Sequence, residues 1–206
     1  MTIGMLESQS KRLLVVVALA LSGCAVGSSA RLPDTSHIEV AFSPEAGSEA
    51  LVLKAIGSAT ESVRLAGYTF TSPVILRALL NSHKHGVDVR VLIDDRGNHS
   101  AASLAAIRLV VGAGIRLRTI AAYAIHHDKY IVVDERHVET GSYNYSAAAA
   151  RSNSENVLVV WNDRTVAAKF LAHWADRWAK GIDVEAADQF LADPMPRSTE
   201  FPRTPR

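Results

Sequence analysis

The chain has 206 residues, 22 basic against 21 acidic side chains, and close to half of its residues are apolar. That length accommodates one domain with a sizeable core. A formal charge of +1 excludes a globally basic polyanion binder, so any phosphate site must be a local patch. The single cysteine, Cys24, excludes an intramolecular disulfide and a cysteine-built zinc site.

In chain order, Lys11 and Arg12 precede the apolar run LLVVVALAL, which is followed by SGCAVGSSA. A basic, then apolar, then small-residue order reads as a secretory leader over residues 1–30. The run is too short to span a bilayer comfortably and lacks the polar face of an amphipathic helix. Two processing routes fit. LSGC, ending at Cys24, is similar to a bacterial lipobox and makes Cys24 a lipidation site. Ser28 and Ala30 suit instead a simple cut after Ala30. Either route puts the mature protein outside the cytoplasm: periplasmic, secreted or lipid-anchored in the envelope.

Next, HIEVAFSP predicts a strand closed by Pro44, and EAGSEALVLKAIGSAT has apolar residues at helical spacing. SVRLAGYTF reads as a strand. SPVILRALLNSHKHG reads as a helix with Ser72 as N-cap, Pro73 in its first turn and Gly86 beyond its end. VDVRVLIDD is nearly all apolar, as in a sheet buried on both faces. HSAASLAAIRLVVGAG predicts a helix and IRLRTI a short strand. Two strands follow, about Ala124 to Val133 and His137 to Thr140, and ENVLVVW makes another. DRTVAAKFLAHWADRWAKG predicts an amphipathic closing helix capped by Asp163, with Phe170, Trp174 and Trp178 at four-residue steps. The alternation implies an α/β fold, a mixed buried β-sheet flanked by helices on both faces. The domain is expected over residues 31–185. A proline-rich tail, 186–206, is expected to be disordered.

IHHDKYIVVDERHVETGSYNYS, from Ile125 to Ser146, carries the chemistry. Residues two apart on a strand share a face, so His127 and Lys129 point one way and His126, Asp128 and Tyr130 the other. An imidazole beside a fixed ammonium suits phosphoryl transfer. The imidazole can attack phosphorus while the lysine neutralises the non-bridging oxygens. Ser142 and Asn144, again two apart, offer neutral donors for the same oxygens. Glu155, in NSEN, offers an acceptor to orient the imidazole. A metal site built from His126, His127, Asp128 and Asp134 is the competing reading, disfavoured because adjacent histidines on a strand face opposite sides. His83, Lys84 and His85 close a helix, where cations suit the helix dipole. Arg96 and His99 follow the carboxyl end of a buried strand, a favoured place for ligands, and with Arg151 are candidates for a polyanion groove.

HHDKYIVVDERHVETGSYNYSAAAARSNSENVLVVWN, with FLAHWADRW after it, resembles the phospholipase D superfamily. It is most similar to the small secreted bacterial endonucleases with one HxKxxxxD motif per chain. The resemblance runs from about His37 to Gly181. It implies the phospholipase D-like α-β-α sandwich and a metal-independent phosphodiesterase that forms a phosphohistidine and needs no cofactor. His127 would be the nucleophile, and Lys129 would bind phosphate with help from Ser142 and Asn144. Glu155 would orient the histidine, and Asp134 would support the motif without entering the chemistry.

Fold and motif fix the reaction class and leave the substrate open. DNA, with RNA beside it, is the substrate expected of the single-motif architecture. Hydrolysis of phospholipid head groups is the alternative, kept alive by a possible lipid anchor at Cys24. The mature chain shows no obvious apolar loop for entering a lipid interface. A non-catalytic nucleic-acid or envelope-binding module is a third possibility, at odds with the complete catalytic set. No second His-x-Lys occurs, and the chain is too short for a second domain. A homodimer with a composite active site is therefore expected, one His127 acting as nucleophile and the other as general acid.

Overall fold

Strands and helices alternate along residues 35–185, the part of the chain that the computed structural model describes. The leader, Cys24 and the 186–206 tail lie outside the described residues. The elements are β1 His37–Ser43, α1 Ser48–Gly57, β2 Ser62–Gly67, α2 Pro73–Lys84, β3 Asp88–Asp94, a 3₁₀ turn Arg96–Asn98, α3 Ala101–Gly112 and β4 Arg116–Ile120. Then come β5 Tyr130–Val133, β6 His137–Gly141, α4 Ala147–Arg151, β7 Glu155–Trp161, α5 Arg164–Lys180 and β8 Ile182–Asp183. All eight strands form one sheet in the order β1-β7-β6-β5-β2-β3-β4-β8. β2, β3 and β4 run parallel, and every other pairing is antiparallel.

The helix boundaries follow from their caps. Ser72 Oγ accepts from Ile75 N at 3.3 Å ahead of Pro73, and Asp163 Oδ1 accepts from both Thr165 N and Val166 N. Apolar residues on one sheet face, including Val63, Leu65, Val91 and Ile131, pack with residues of α1, α2 and α3. On the other face Ala66, Leu92, Tyr130 and Val132 pack with Trp174 and Trp178 of α5. This is the α-β-α sandwich expected from the alternation. The two tryptophans stack at 4.6 Å, and Trp174 Nε1 donates to Leu65 O at 3.1 Å, so the indole's polar atom is satisfied inside the core.

Two features differ from the sequence reading. β8 and α4 are additional, each too short to give a periodic signal. The strand expected from Ala124 forms a ladder only from Tyr130 to Val133, because β2 offers partners only between Val63 and Ala66. Residues 121–129 therefore cross beyond the end of the ladder and must find other hydrogen bonds.

At the opposite end of β5, Asp134 and Glu135 turn the chain into β6 with φ of +49° and +54°. Arg136 N closes that turn on Val133 O at 3.0 Å. Asp134 also binds the approach to β2. Its carboxylate accepts from Thr60 N, Thr60 Oγ1, Glu61 N and Ser62 N at 2.7–2.9 Å. Burial works against its charge, but these four donors outweigh it and hold the carboxyl below its usual range. Five residues of extended chain separate Asp134 from Lys129, roughly 16 Å, so Asp134 ties strands together away from the cluster. Asp134→Ala should destabilise the domain by about 3 kcal/mol, since it strands buried backbone donors. Urea unfolding would check it. A folded pKa below the unfolded one means that this stabilisation is present above pH ~4 and fades as the pH falls through the folded value.

Candidate active site

The segment bearing His127 and Lys129 precedes the β5 ladder and is held by a carboxylate instead. Asp94, buried at the end of β3, accepts His126 N on Oδ2 at 2.7 Å and Gly97 N on Oδ1 at 2.6 Å. Asn98 then clamps the neighbouring loop, donating to Tyr68 O and accepting from Phe70 N. Gly97 is required here, because a Cβ would come within 2.9 Å of Tyr68 Cε2. Tyr68 is the platform of the site. Its ring lies 4.9 Å from the His127 ring and 5.5 Å from Lys129 Nζ. His127 and Lys129 thus share a side, as their spacing requires.

His127 is exposed, whereas Lys129 is 8% exposed. Lys129 Nζ donates to His127 O at 3.0 Å. Burial pushes the ammonium's pKa down, and the negative charges of Glu155 and Asp128 only partly restore it. On the other side of the segment His126 is buried, and burial likewise lowers its pKa despite Asp128 and Asp94 nearby. Asp128 Oδ2 lies 3.4 Å from His126 Nδ1 and 2.9 Å from His173 Nε2. The four residues of the metal reading are spread apart: His126 is buried, His127 is exposed against Tyr68 and Asp134 lies at the far end of β5. Among the described residues no three His, Cys, Asp or Glu side chains converge as metal ligands.

Ser142 follows β6 and meets the start of β7. Ser142 Oγ donates to Glu155 Oε2 at 2.6 Å and accepts from Asn156 N at 3.0 Å. Gly141 makes this possible, since any Cβ there would strike the Asn156 carbonyl. The other oxygen of Glu155 accepts Asn153 Nδ2 at 2.9 Å. Glu155 thus bonds Ser142 and Asn153, and not His127 of its own chain. Its charge still acts on Lys129. Asn144 Oδ1 is buried with no protein partner. The loop bearing Ser142 and Asn144 is held by Tyr145, whose carbonyl accepts Thr71 N and Ser72 N and whose hydroxyl donates to Glu139. Fully buried, the Glu139 carboxyl is pushed up to about 8.

An open cavity of about 450 Å³ joins His127 and Lys129 to Thr140, Lys169, Phe170 and His173. The last three, on α5, and Tyr68 and Asp94 are additions to the residues expected from the motif. Of the expected groove residues, Arg96 donates to Ala124 O at 3.1 Å, bracing the segment that leads to His127. His99 is exposed beside Asp95 at 3.7 Å, and Arg151 is exposed at the end of α4. None of the three lines the cavity.

Comparison with known proteins agrees with this geometry. Residues 52–178 match the family described as cardiolipin synthase, PLD-like domain. The fold superposes on Nuc, a phospholipase D family member from Salmonella typhimurium, with a TM-score of 0.73 and 47% identity, over 73% of this chain and 99% of Nuc. The chain is 33% identical to a phospholipase D of Rickettsia felis over 144 residues, 70% of each protein. It is also 36% identical to the human mitochondrial cardiolipin hydrolase over 115 residues, 56% of this chain and 45% of that one.

The lowered pKa of Lys129 has a kinetic consequence. A lysine that holds phosphate must be protonated, so if Lys129 has that role, activity should decline on the alkaline side below the ~10.4 of an ordinary lysine. Lys129→Arg, whose guanidinium stays charged past pH ~12, should remove that decline even if the rate falls. A pH–rate profile of both proteins on a phosphodiester checks this, and a wild-type limb at or above ~10.4 would contradict it.

The histidine–lysine pair above the end of β5, the Ser142–Glu155 bond beside it and the extent of these matches give one conclusion: the chain belongs to the phospholipase D superfamily and is a phosphodiesterase.

Proposed function

We propose that the chain is an exported, metal-independent endonuclease that cleaves DNA, and RNA beside it, through a phosphohistidine at His127. The observation that carries this reading is architectural. One His127–Lys129 pair sits in a domain that spans 99% of Nuc. That is the single-motif plan of the small endonucleases the sequence resembles. The leader at residues 1–30, with Cys24 as a possible lipid-attachment point, supports export.

In this reading an imidazole nitrogen of His127 attacks phosphorus, and the bond to the leaving oxygen breaks. Lys129, assisted by Ser142 and Asn144, neutralises the non-bridging oxygens as their charge grows. Glu155 fixes Ser142 and offsets the desolvation of Lys129. The leaving oxygen takes a proton from an acid, and water then attacks the phosphohistidine, giving its proton to the same group and releasing His127. A second His127 across a two-fold axis supplies that acid. An uncovered apolar face supports the dimer. Ile38, Val40 and Phe42 of the edge strand β1 are 60%, 54% and 54% exposed. They share a sheet face with Leu158 and Val160 of β7 and with Thr140 at the cavity rim. Such a contiguous apolar stripe on an edge strand calls for a cover.

Phospholipid hydrolysis remains the second reading. The names of the Rickettsia and human relatives favour it. So does Ile125, 53% exposed two residues before His127, an apolar group that the sequence alone did not mark as accessible.

Purified protein should nick plasmid DNA in excess EDTA. His127→Ala should abolish this with an unchanged unfolding midpoint, and Lys129→Ala should cost roughly 10²–10³ in rate. Cleavage of phosphatidylcholine but not of DNA or RNA would favour the second reading, and activity lost in EDTA and restored by magnesium would exclude the mechanism. The dimer predicts a mixing result. When wild-type and His127→Ala subunits are co-refolded, activity should fall as the square of the wild-type fraction, whereas a linear fall would mean that each chain works alone.

A further inference from the structure

The cavity holds more than the reacting phosphate. At about 450 Å³ it lies within the roughly 300–1,000 Å³ typical of sites that enclose a whole small ligand. His127 and Lys129 line one part of it. Helix α5 lines another with Lys169, Phe170 and His173, spaced so that Lys169 and His173 stack one turn apart with Phe170 beside them. Lys169 is exposed and makes no ion pair or hydrogen bond among the described residues. Further along α5, Arg177 and Lys180 are both tied to Asp176, and across the fold Arg64, Arg116 and Arg118 are likewise held by aspartates. The Lys169 ammonium is thus left available at the cavity. Phe170 is half-buried, its ring edge-on to Tyr130 at 5.0 Å. The nearest anion in the lining, Asp128, is engaged by His173.

A free cation and an aromatic ring beside a phosphodiester-cleaving pair match the repeat of a nucleic-acid strand, in which a phosphate and a base recur along the chain. We propose that Lys169 and Phe170 form a subsite for the nucleotide flanking the scissile phosphate of a single-stranded nucleic acid. Lys169 pairs with the neighbouring phosphate, and Phe170 meets the face of an unstacked base. This rests on the endonuclease reading. A duplex keeps its base faces stacked and away from Phe170. A choline or ethanolamine head group carries a cation that Lys169 repels. The second phosphate of a cardiolipin would satisfy Lys169 but bring no π face to Phe170.

The test compares wild type, Lys169→Glu, Lys169→Arg and Phe170→Leu, each first shown to keep its urea midpoint. Substrates are a short single-stranded oligonucleotide, its duplex, bis(p-nitrophenyl) phosphate and cardiolipin vesicles. In Lys169→Glu the kcat/KM ratio of oligonucleotide to the small diester should fall about tenfold, chiefly through KM, and Lys169→Arg should restore it. Phe170→Leu should narrow the wild-type preference for single strand over duplex. Active wild type with unchanged ratios in both variants overturns the subsite and leaves the endonuclease reading standing. A Lys169→Glu loss confined to cardiolipin overturns the assignment to a strand. Wild type inert on every nucleic acid overturns the endonuclease reading and the subsite with it.

Discussion

Asp94 is the residue on which the site depends. The parallel strand β3 ends there, and its buried carboxylate is aimed past the sheet at two backbone donors, His126 N and Gly97 N. Bonds from backbone N–H groups to a carboxylate are among the stronger hydrogen bonds available to a fold. They replace the ladder that β2 stops supplying after Ala66. His127 therefore leaves the sheet without leaving the framework. Its backbone neighbour is pinned, its ring rests against Tyr68, and Tyr68 is in turn clamped by Asn98 from the turn that Asp94 organises. One carboxylate links the end of β3, the Tyr68 loop and the His127–Lys129 segment.

Charge is distributed to match. Most lysines and arginines with an ion pair lie on β2, β3 and β4 or near the end of α5, each held by a half-exposed aspartate, Asp88, Asp183 or Asp176. Lys129 is different, being buried and bonded to a neutral carbonyl. No carboxylate touches this desolvated ammonium directly, and in the proposed mechanism the incoming phosphate supplies the negative charge. Glu155 acts on it at longer range, while its oxygens serve Ser142 and Asn153. The polar support behind the Ser142–Asn144 loop is also neutral in character, with Glu139 protonated at neutral pH and bonded to Tyr145.

Local rules made much of this legible in the sequence. The caps at Ser72 and Asp163, the apolar run of β3 and the two-residue spacing of His127 and Lys129 are all short-range signals, and the folded chain follows them. Between Ala124 and Tyr130 the chain runs without a ladder, and the alternation of His127 and Lys129 is the same whether or not a partner strand is alongside. Tyr68 and Asp94 were invisible as site residues for a different reason. Each reaches His127 or its neighbour across a long separation in sequence, and nothing in SVRLAGYTF or VDVRVLIDD says where its end will dock. Phe170 shows the limit of periodicity. Its spacing to Trp174 and Trp178 puts all three against one core cluster, but the spacing does not show that the tryptophans are buried while Phe170 is only half-buried and also lines the cavity. His173 carries no local signal either, since its bond to Asp128 joins residues 45 positions apart, on α5 and in the motif segment.

The central claim is that His127 becomes covalently attached to phosphorus. The direct measurement is to mix the enzyme with a short oligonucleotide, quench in alkali, where a phosphoimidazole survives, and sequence the digested peptides by mass spectrometry. The account predicts a peptide carrying the mass of the retained nucleotidyl fragment on His127, present in wild type during turnover and missing from His127→Ala. Steady turnover with no such adduct, or an adduct on another residue that persists in His127→Ala, would contradict it.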